Sequence, residues 1–324
     1  MTQKKSEDYA MSLPKYNSVT RTQGNNRALK TGEVKPKTFE FEFTEFPVLV
    51  DAFRIMVREN RFDICEMAIT TYITAKAHGK KFTAIPVFLV RGFHHGAIMV
   101  NTKARIKTPK DLEGKRVGVN RGYTVTTGVW ARSVLQREHG VDLSKVTWVL
   151  SGDEHVAEYK APGNVVPMDK SKTMADHLIS GDLAAAIGVD SDHPDIAPLL
   201  PHGTEIGLTA LRDHGYYPIN HLVVIKDELW QANPGLATDV FNAFAESKQK
   251  YVAALKAGQI ETLDAADKLH LKIMEVMPDP LPYGIEANRT VIEELIENAI
   301  TQGIITQKVS VDDLFIPETR KLVG

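Results

Sequence analysis

Two histidines each begin an apolar, β-branched stretch of this 324-residue chain. His95, which follows His94, precedes the run 97–100, and His221 precedes the run 222–225. Short runs rich in valine and isoleucine are typical of buried strands. An imidazole with its ordinary pKa of about 6.5 is present in both protonation states at neutral pH. The two stretches therefore predict proton transfer at the mouths of two strands.

Arginine and glutamate side chains are candidates for binding an acidic substrate. Arg21, Arg27 and Arg91 can each clamp a carboxylate with two parallel hydrogen bonds, a geometry that lysine does not reproduce. Arg21 and Arg27 lie in a stretch rich in glycine and asparagine and are equally compatible with a solvated surface. Glu66 lies inside an apolar stretch, so its carboxylate needs a partner, such as a substrate hydroxyl or a histidine.

A second candidate anion site lies where a predicted strand leads into a helix. Tyr123, Thr124 and Thr126 occupy this position, and the first backbone N–H groups of a helix carry a partial positive charge that binds carboxylates. The threonines are also compatible with plain helix caps. Trp130, further along the same helix, is compatible with a wall that stacks on a substrate ring or with core packing.

Alternating strand and helix patterns predict the elements that position these residues. Period-two alternation over 39–43 predicts a strand, and a helical pattern follows Pro47. Residues 63–68 and 82–87 predict two more strands, with a helix between them that Thr70 or Thr71 begins. This order predicts an α/β fold with a mostly parallel sheet and crossover helices.

A second α/β unit is predicted from residue 108 to residue 189, and the chain after Lys226 has a helical pattern. We therefore predict two lobes, the first formed by residues 1–103 with 222–324 and the second by residues 104–221. The chain would then cross between the lobes twice, and one histidine-bearing stretch lies at each crossing. Both histidines are expected to face a single cleft between the lobes.

Composition favours a small-molecule partner. The chain has 39 basic and 41 acidic residues and a net charge of -2, which indicates neither a nucleic-acid partner nor a membrane partner. The single cysteine, Cys65, rules out an internal disulfide. The sequence has no HxxxH or CxxC spacing and no dinucleotide or Walker motif, so we predict no metal and no cofactor.

Residues 1–38 are rich in charged side chains and lack the apolar block of a secretory signal. We therefore expect a cytoplasmic protein. A homo-oligomer is compatible with the sequence.

Short motifs occur in a fixed order along nearly the whole chain. They are Arg21-Thr22, Ala28-Leu29-Lys30 with Gly32, Val34-Lys35-Pro36, Phe62 to Met67, Ile85 to Phe88, Arg91 with Phe93 and His95, Val129 to Arg132, and Pro218-Ile219 with His221. This set resembles the 4,5-dihydroxyphthalate decarboxylases, within the periplasmic-binding-protein type II-like superfamily. The resemblance implies a two-lobed fold with a ligand cleft between the lobes.

The resemblance also implies a site and a role in phthalate degradation. His94 and His95 cannot face the same side of an extended strand, and His95 is the one that matches the family. His95 and His221 are then the expected catalytic residues. The expected substrate-binding residues are Arg21, Arg27, Glu66, Thr70, Thr71, Arg91, Tyr123, Thr124, Thr126 and Trp130.

The implied chemistry needs no cofactor. Loss of carbon dioxide from a ring carboxylate para to a hydroxyl needs an acid to protonate the ring carbon, a group that raises electron density at the phenol, and cations for the acids. A histidine is expected near the reacting carbon and another near a ring hydroxyl. The alternative is a solute-binding protein that captures an aromatic or other small carboxylate without chemistry.

Overall fold

The computed structural model of the chain describes residues 12–324. Lys4, Lys5, Glu7 and Asp8, which contribute to the expectation of a cytoplasmic protein, lie outside the described residues, and that expectation stays a prediction. Within residues 12–324 the strands form two sheets with helices packed around them. No helix in this range is long and apolar enough to cross a membrane.

The strands in chain order are β1 Lys15–Val19, β2 Glu40–Phe43, β3 Ile64–Ala68, β4 Phe82–Arg91, β5 Ile98–Asn101, β6 Arg116–Val119, β7 Thr147–Leu150, β8 Val165–Pro167, β9 Ala185–Ile187, β10 Ile196–Pro198 and β11 Ile219–Lys226. The α-helices are α1 Arg27–Lys30, α2 Leu49–Glu59, α3 Ile69–Ala77, α4 Thr126–Ser133, α5 Met174–Ser180, α6 Gly203–His214, α7 Asp227–Ala232, α8 Leu236–Lys256, α9 Ala265–Met274 and α10 Arg289–Thr301. A π-helical turn, Val134–Glu138, extends α4.

The first sheet has the strand order β2-β1-β3-β11-β4. β1 pairs in parallel with β2 and β3, whereas β11 runs antiparallel to both of its neighbours, β3 and β4. The predicted parallel arrangement is therefore correct except for β11. His221 lies in β11 opposite Ala68, so its strand belongs to the first sheet and does not close the second unit.

The second sheet has the order β10-β5-β9-β6-β7-β8. β6 pairs in parallel with β7 and β9, and β5 runs antiparallel between β9 and β10. The prediction assigned residues 98–101 to the first lobe, but their backbone hydrogen bonds place β5 in the second sheet. The first crossing between the sheets therefore lies between Arg91 and Ile98, and the second lies just before Ile219.

Apolar periodicity and capping residues explain the helices next to the cleft. α2 buries Val50, Phe53 and Val57, the side that the sequence pattern predicted. Thr173 caps α5 in a reciprocal capping box with Asp176. The second sheet has a small core of its own around Val149, Leu178 and Ala186, while most other buried apolar side chains form one larger cluster.

Three contacts join the two sheets on the side where the parallel strands end. The Thr70 hydroxyl of α3 donates to the Thr124 carbonyl at 2.6 Å, and Thr71 Oγ1 lies 2.8 Å from His155 Nδ1. Arg58 Nη2 donates to Asp153 Oδ2 at 2.7 Å. The carboxyl ends of parallel strands are the usual ligand-binding edge of α/β sheets. This edge is therefore where the site must be sought.

Asp239 of α8 anchors the segment that precedes β2. Its buried carboxylate accepts hydrogen bonds from Lys37 N, Thr38 N and Thr38 Oγ1 at 2.7 to 3.0 Å. We expect Asp239→Ala to lower the free energy of unfolding by about 2 to 4 kcal/mol, because three donors lose a charged acceptor. Glu246→Ala, at an exposed position of the same helix, should change it by less than about 0.5 kcal/mol. Urea denaturation measures both, and equal effects would contradict the anchoring role.

Candidate active site

Four parallel strands end at one edge, and polar residues follow each of them. Arg21 follows β1, Thr70 and Thr71 follow β3, and Arg121 follows β6. Gly188 follows β9, and its carbonyl accepts a hydrogen bond from the Asn120 side chain at 2.9 Å. The strand ends of both sheets therefore converge on one cleft.

Glu66 and His221 form a hydrogen-bonded pair in this cleft. His221 Nδ1 lies 2.6 Å from Glu66 Oε1, and Glu66 Oε2 accepts the backbone N–H of Arg21 at 2.9 Å. The Glu66 side chain is fully buried, while that of His221 is 20% exposed. Because the carboxylate accepts a hydrogen bond from Nδ1–H, the other ring nitrogen, Nε2, is free to exchange a proton with a ligand.

A second imidazole, His155, lies close to this pair. The ring of Phe53 is 5.3 Å from the ring of His221 and 6.2 Å from that of His155. His155 is buried, its Nδ1 faces Thr71, and its Nε2 has no hydrogen-bond partner among residues 12–324. Burial, together with Arg54 and Arg121, lowers the pKa of His155 to about 4. His155 is therefore neutral at pH 7.

Three guanidinium groups gather at the same edge. Burial lowers the pKa of Arg121, and the nearby Arg54 and Arg21 lower it further. Arg54 forms ion pairs with Asp51 and Asp153 at 3.3 and 3.1 Å. Within residues 12–324, neither Arg21 nor Arg121 forms an ion pair with a carboxylate. The edge therefore carries uncompensated positive charge that suits an acidic ligand.

Arg121 also has a strained backbone. Its φ angle of 74° lies in the left-handed region, which side chains with a Cβ rarely adopt. Such strain is often retained at functional positions. The residue is only partly buried, so core packing does not account for the conformation.

The predicted anion site at the start of α4 is filled by the chain itself. The carboxylate of Glu154 accepts the backbone N–H groups of Tyr123 and Thr124 and, at 2.7 Å, the Thr124 hydroxyl. A Cβ at Gly122 would lie 2.7 Å from Glu154 Oε2, so the glycine makes room for this carboxylate. These donors do bind a carboxylate, as predicted, but it belongs to Glu154 of the protein. A substrate acid cannot use these donors while Glu154 occupies them.

The predicted threonines bond to one another across the cleft. Thr70 Oγ1 lies 2.7 Å from Thr126 Oγ1 as well as donating to the Thr124 carbonyl, and these side chains are buried. Thr71 is occupied by His155. These hydroxyls therefore connect the lobes, and direct substrate contact by Thr70, Thr71, Thr124 and Thr126 stays a prediction.

His95 lies in different surroundings from His221. Its Nε2 contacts both carboxylate oxygens of Glu138, at 2.9 and 3.0 Å, and its ring is 6.5 Å from that of Tyr216. Glu138 and Tyr216 line a cavity of about 660 Å³ between α6 and α10. No contact among the described residues joins His95 to the Glu66–His221 pair. The contacts therefore do not bring His95 and His221 together, as the prediction of one shared cleft required. A catalytic role for His95 stays a prediction.

Three more of the predicted site residues, Arg91, Trp130 and Arg27, make contacts away from the Glu66–His221 pair. Arg91 is buried, stacks 4.5 Å from the Tyr217 ring and hydrogen-bonds Asn288, and burial lowers its pKa to about 10. Trp130 is fully buried and donates to the Ile219 carbonyl at 2.9 Å, which favours packing over a substrate wall.

Arg27, the last of these three, is exposed in α1 and lines a cavity beside α8. The ring of Tyr123 stacks 3.8 Å from the buried guanidinium of Arg132. None of these contacts reaches the Glu66–His221 pair.

Within residues 12–324 no group of three or more His, Cys, Asp or Glu side chains is placed to hold a metal ion. The predicted absence of a metal and of a cofactor stays a prediction. The groups available for chemistry at the cleft are two imidazoles, the carboxylate partner of one of them, and arginines.

Sequence reasoning missed Phe53, Arg54, Arg121 and His155. Arg121 had a usable signal, because Asn120 and Arg121 directly follow a predicted strand, where ligand-binding residues of α/β folds gather. His155 gave none, since it lies in a polar loop with no pattern of its own. Its place in the site depends on its contact with Thr71 of the other lobe, which leaves no mark in the local sequence.

The sequence is similar to one described protein family and to two named enzymes. The sequence profile of the family described as NMT1/THI5 like matches residues 54–254. The 4,5-dihydroxyphthalate decarboxylase of Comamonas testosteroni is 27% identical over 273 residues, 79% of this chain and 82% of that protein. The 4,5-dihydroxyphthalate decarboxylase of Pseudomonas putida is 36% identical over 139 residues, 40% of this chain and 54% of that protein.

Solved structures agree on the fold. The periplasmic aliphatic sulphonate binding protein of Escherichia coli matches with a TM-score of 0.54 and 13% identity, over 94% of this chain and 92% of that chain. At this identity the likeness shows the fold alone. The predicted two-lobed periplasmic-binding-protein type II-like fold is confirmed, and so is the predicted resemblance to the decarboxylases.

The strained backbone at residue 121 generates a stability prediction. We expect Arg121→Gly to leave the free energy of unfolding unchanged or to raise it by up to about 1 kcal/mol, because glycine adopts positive φ without strain. Arg105→Gly is a matched control, since exposed Arg105 also has a positive φ, of 57°. Urea denaturation of both variants checks this. A marked loss at residue 121 alone would show that the guanidinium stabilises the free protein.

The buried His155 predicts acid lability. The unfolded chain binds a proton at the ordinary histidine pKa of about 6.5, whereas the folded state resists it until about pH 4. Between these values the unfolded state binds more protons, so stability falls as the pH falls, by up to about 1.4 kcal/mol per pH unit for this group. His155→Asn should reduce this slope in urea denaturation between pH 7 and 4.5. His214→Asn, at an exposed position, should leave the slope unchanged.

Proposed function

We propose that this chain, which belongs to the NMT1/THI5-like family, is a cofactor-independent decarboxylase that converts 4,5-dihydroxyphthalate to protocatechuate and carbon dioxide. The observation that carries the proposal is the Glu66–His221 pair beside the unpaired arginines of one cleft. Two relatives named as decarboxylases of this substrate support it. A role in phthalate degradation is part of the proposal.

The arginines account for binding of a diacid. Arg21 is joined to the acid–base pair, because its backbone N–H donates to Glu66. Arg121 approaches Arg21 and Arg54 from the other sheet. Two adjacent ring carboxylates carry two negative charges, which offset the repulsion among the guanidiniums. In this proposal Arg21 and Arg121 hold the carboxylates, and the role predicted for Arg91 passes to Arg121.

His221 supplies the proton in the proposed mechanism. Its Nδ1–H is held by Glu66, so Nε2 is directed to the substrate and the tautomer is fixed. In the imidazolium form, which the Glu66 carboxylate stabilises, Nε2 also carries a proton, and this proton adds to the ring carbon that bears the leaving carboxylate. The hydroxyl para to that carbon keeps its proton and takes up the positive charge, so a protonated dienone-type intermediate forms. The carbon–carbon bond then breaks, carbon dioxide leaves, and the bonding electron pair restores the aromatic ring.

Contacts between the lobes support a closed reaction space. The Thr70 and Thr71 contacts bring α3 against the start of α4 and the loop that carries His155. Exclusion of water strengthens the electrostatic interactions with the substrate acids. The buried, neutral His155 adds no positive charge to the three guanidiniums.

Capture of a carboxylate without chemistry is the second candidate function. It is favoured by the likeness in fold to a sulphonate-binding protein. The acid–base pair favours the enzyme, because a carboxylate that orients an imidazole is an arrangement suited to general acid–base catalysis. A turnover assay separates the two candidates.

The reaction can be followed by the release of carbon dioxide and the appearance of protocatechuate. We expect wild-type protein to turn over 4,5-dihydroxyphthalate, and His221→Ala to lower kcat by at least about 10²-fold, because a positioned acid contributes about that much. Glu66→Gln should lower kcat as well, since the amide no longer holds the imidazole in one tautomer. His214→Ala is the control at an exposed histidine.

The same assay tests His95. Because its ring contacts Glu138, we expect His95→Gln to lose far less activity than His221→Ala. A loss equal to that of His221→Ala would restore the paired-imidazole hypothesis. Normal turnover by His221→Ala would remove that residue from the mechanism, and binding without turnover by the wild type would favour the second candidate function.

A further inference from the structure

The loop of residues 151–155 holds the backbone of Arg121 from one side. Ser151 Oγ accepts the backbone N–H of Arg121 at 2.7 Å, and Gly152 N donates to the Arg121 carbonyl at 3.3 Å. A Cβ at Gly152 would lie 3.3 Å from Arg121 Cα, so the loop packs directly against this residue. Both backbone groups of the strained residue are therefore satisfied by the loop.

The same loop is held by the first lobe from the other side. Arg58 of α2 donates to Asp153 Oδ2 and to the Glu154 carbonyl, both at 2.7 Å, and to the His155 carbonyl at 3.2 Å. Arg54 adds an ion pair with Asp153 at 3.1 Å. One fork-shaped guanidinium therefore grips three successive residues, which a lysine could not do.

A third anchor joins the loop to α4. The Glu154 carboxylate occupies the donors at Tyr123 and Thr124, directly after Arg121 and Gly122. The loop therefore contacts the chain on both sides of Arg121 and also contacts α2. Because hydrogen bonds connect the loop both to α2 and to Arg121, a change in the distance between the lobes would displace the loop and, with it, Arg121.

We propose that the 151–155 loop positions the Arg121 guanidinium, and that Ser151 and Arg58 are positioning residues that set the affinity for the second carboxylate of a diacid. This inference rests on the proposed function, in which Arg121 binds a carboxylate. Ser151 acts through the backbone of Arg121, and Arg58 acts through the loop. Displacement of Arg121 should lower the affinity for a diacid, whereas the affinity for a monoacid bound by Arg21 should not change.

Binding of phthalate and of benzoate, measured by calorimetry, tests the inference without turnover. Ser151→Ala removes the acceptor of the Arg121 N–H, so we expect the Kd for phthalate to rise about tenfold and that for benzoate to stay within about twofold. Ser144→Ala is the control, because the Ser144 hydroxyl also makes a short side-chain hydrogen bond, which it donates to Asp142 in an exposed turn of the same lobe. It should change neither Kd.

Arg58→Lys keeps the charge and loses the fork. We expect it to weaken phthalate binding selectively, as Ser151→Ala does, and we expect the double variant to weaken it by less than the product of the single effects, since both residues act through one loop. Arg61→Lys is the control, because Arg61 is exposed and pairs only with Glu59 among the described residues. In turnover, both test variants should raise KM for the diacid and change kcat little.

Two results would overturn the inference. One is an unchanged Kd for phthalate in Ser151→Ala and Arg58→Lys, together with a weakened one in Arg121→Lys, which would leave the proposed function standing. The other is an equal weakening of phthalate and benzoate, which would indicate general damage to the cleft. Failure of the wild type both to bind phthalate and to turn over the dihydroxylated diacid would instead count against the proposed function.

Discussion

The buried carboxylate of Glu66 is the constraint on which the cleft depends. A carboxylate without exposure to water must be hydrogen-bonded, and its partners come from two other strands of the first sheet. The backbone N–H of Arg21 at the end of β1 satisfies one oxygen, and His221 of β11 satisfies the other. A shift of β11 by one residue would bring Asn220 or Leu222 to this position, so the charge at Glu66 also specifies strand register.

Repulsion among the guanidiniums is the complementary constraint. Arg21, Arg54 and Arg121 are brought together by strands and a helix of both lobes, yet the carboxylates near them neutralise chiefly Arg54. The proximity of these like charges is unfavourable, and an acidic ligand relieves it. Because Arg121 belongs to the second sheet and Arg21 to the first, relief of this repulsion also favours closure of the lobes around a diacid.

Local patterns in the sequence predicted most of the scaffold and half of the chemistry. The period of the apolar residues identified β2, β3, β4 and α2, and His221 and Glu66 were each predicted as site residues, but their pairing with one another was not. The failures have a common cause, which is that pairing across distant segments leaves no local mark. The antiparallel insertion of β5 between β9 and β10, the contact of His95 with Glu138, and the occupation of the α4 start by Glu154 all depend on long-range placement.

Glu154 has a consequence for the conditions in which the protein works. Helix starts with free backbone donors attract inorganic phosphate and sulfate, which are abundant solutes. Here a tethered carboxylate already occupies the Tyr123 and Thr124 donors that precede α4, so such ions gain nothing at these two groups. At the arginine side chains, a rigid aromatic diacid has the advantage over such anions of two charges at a set spacing.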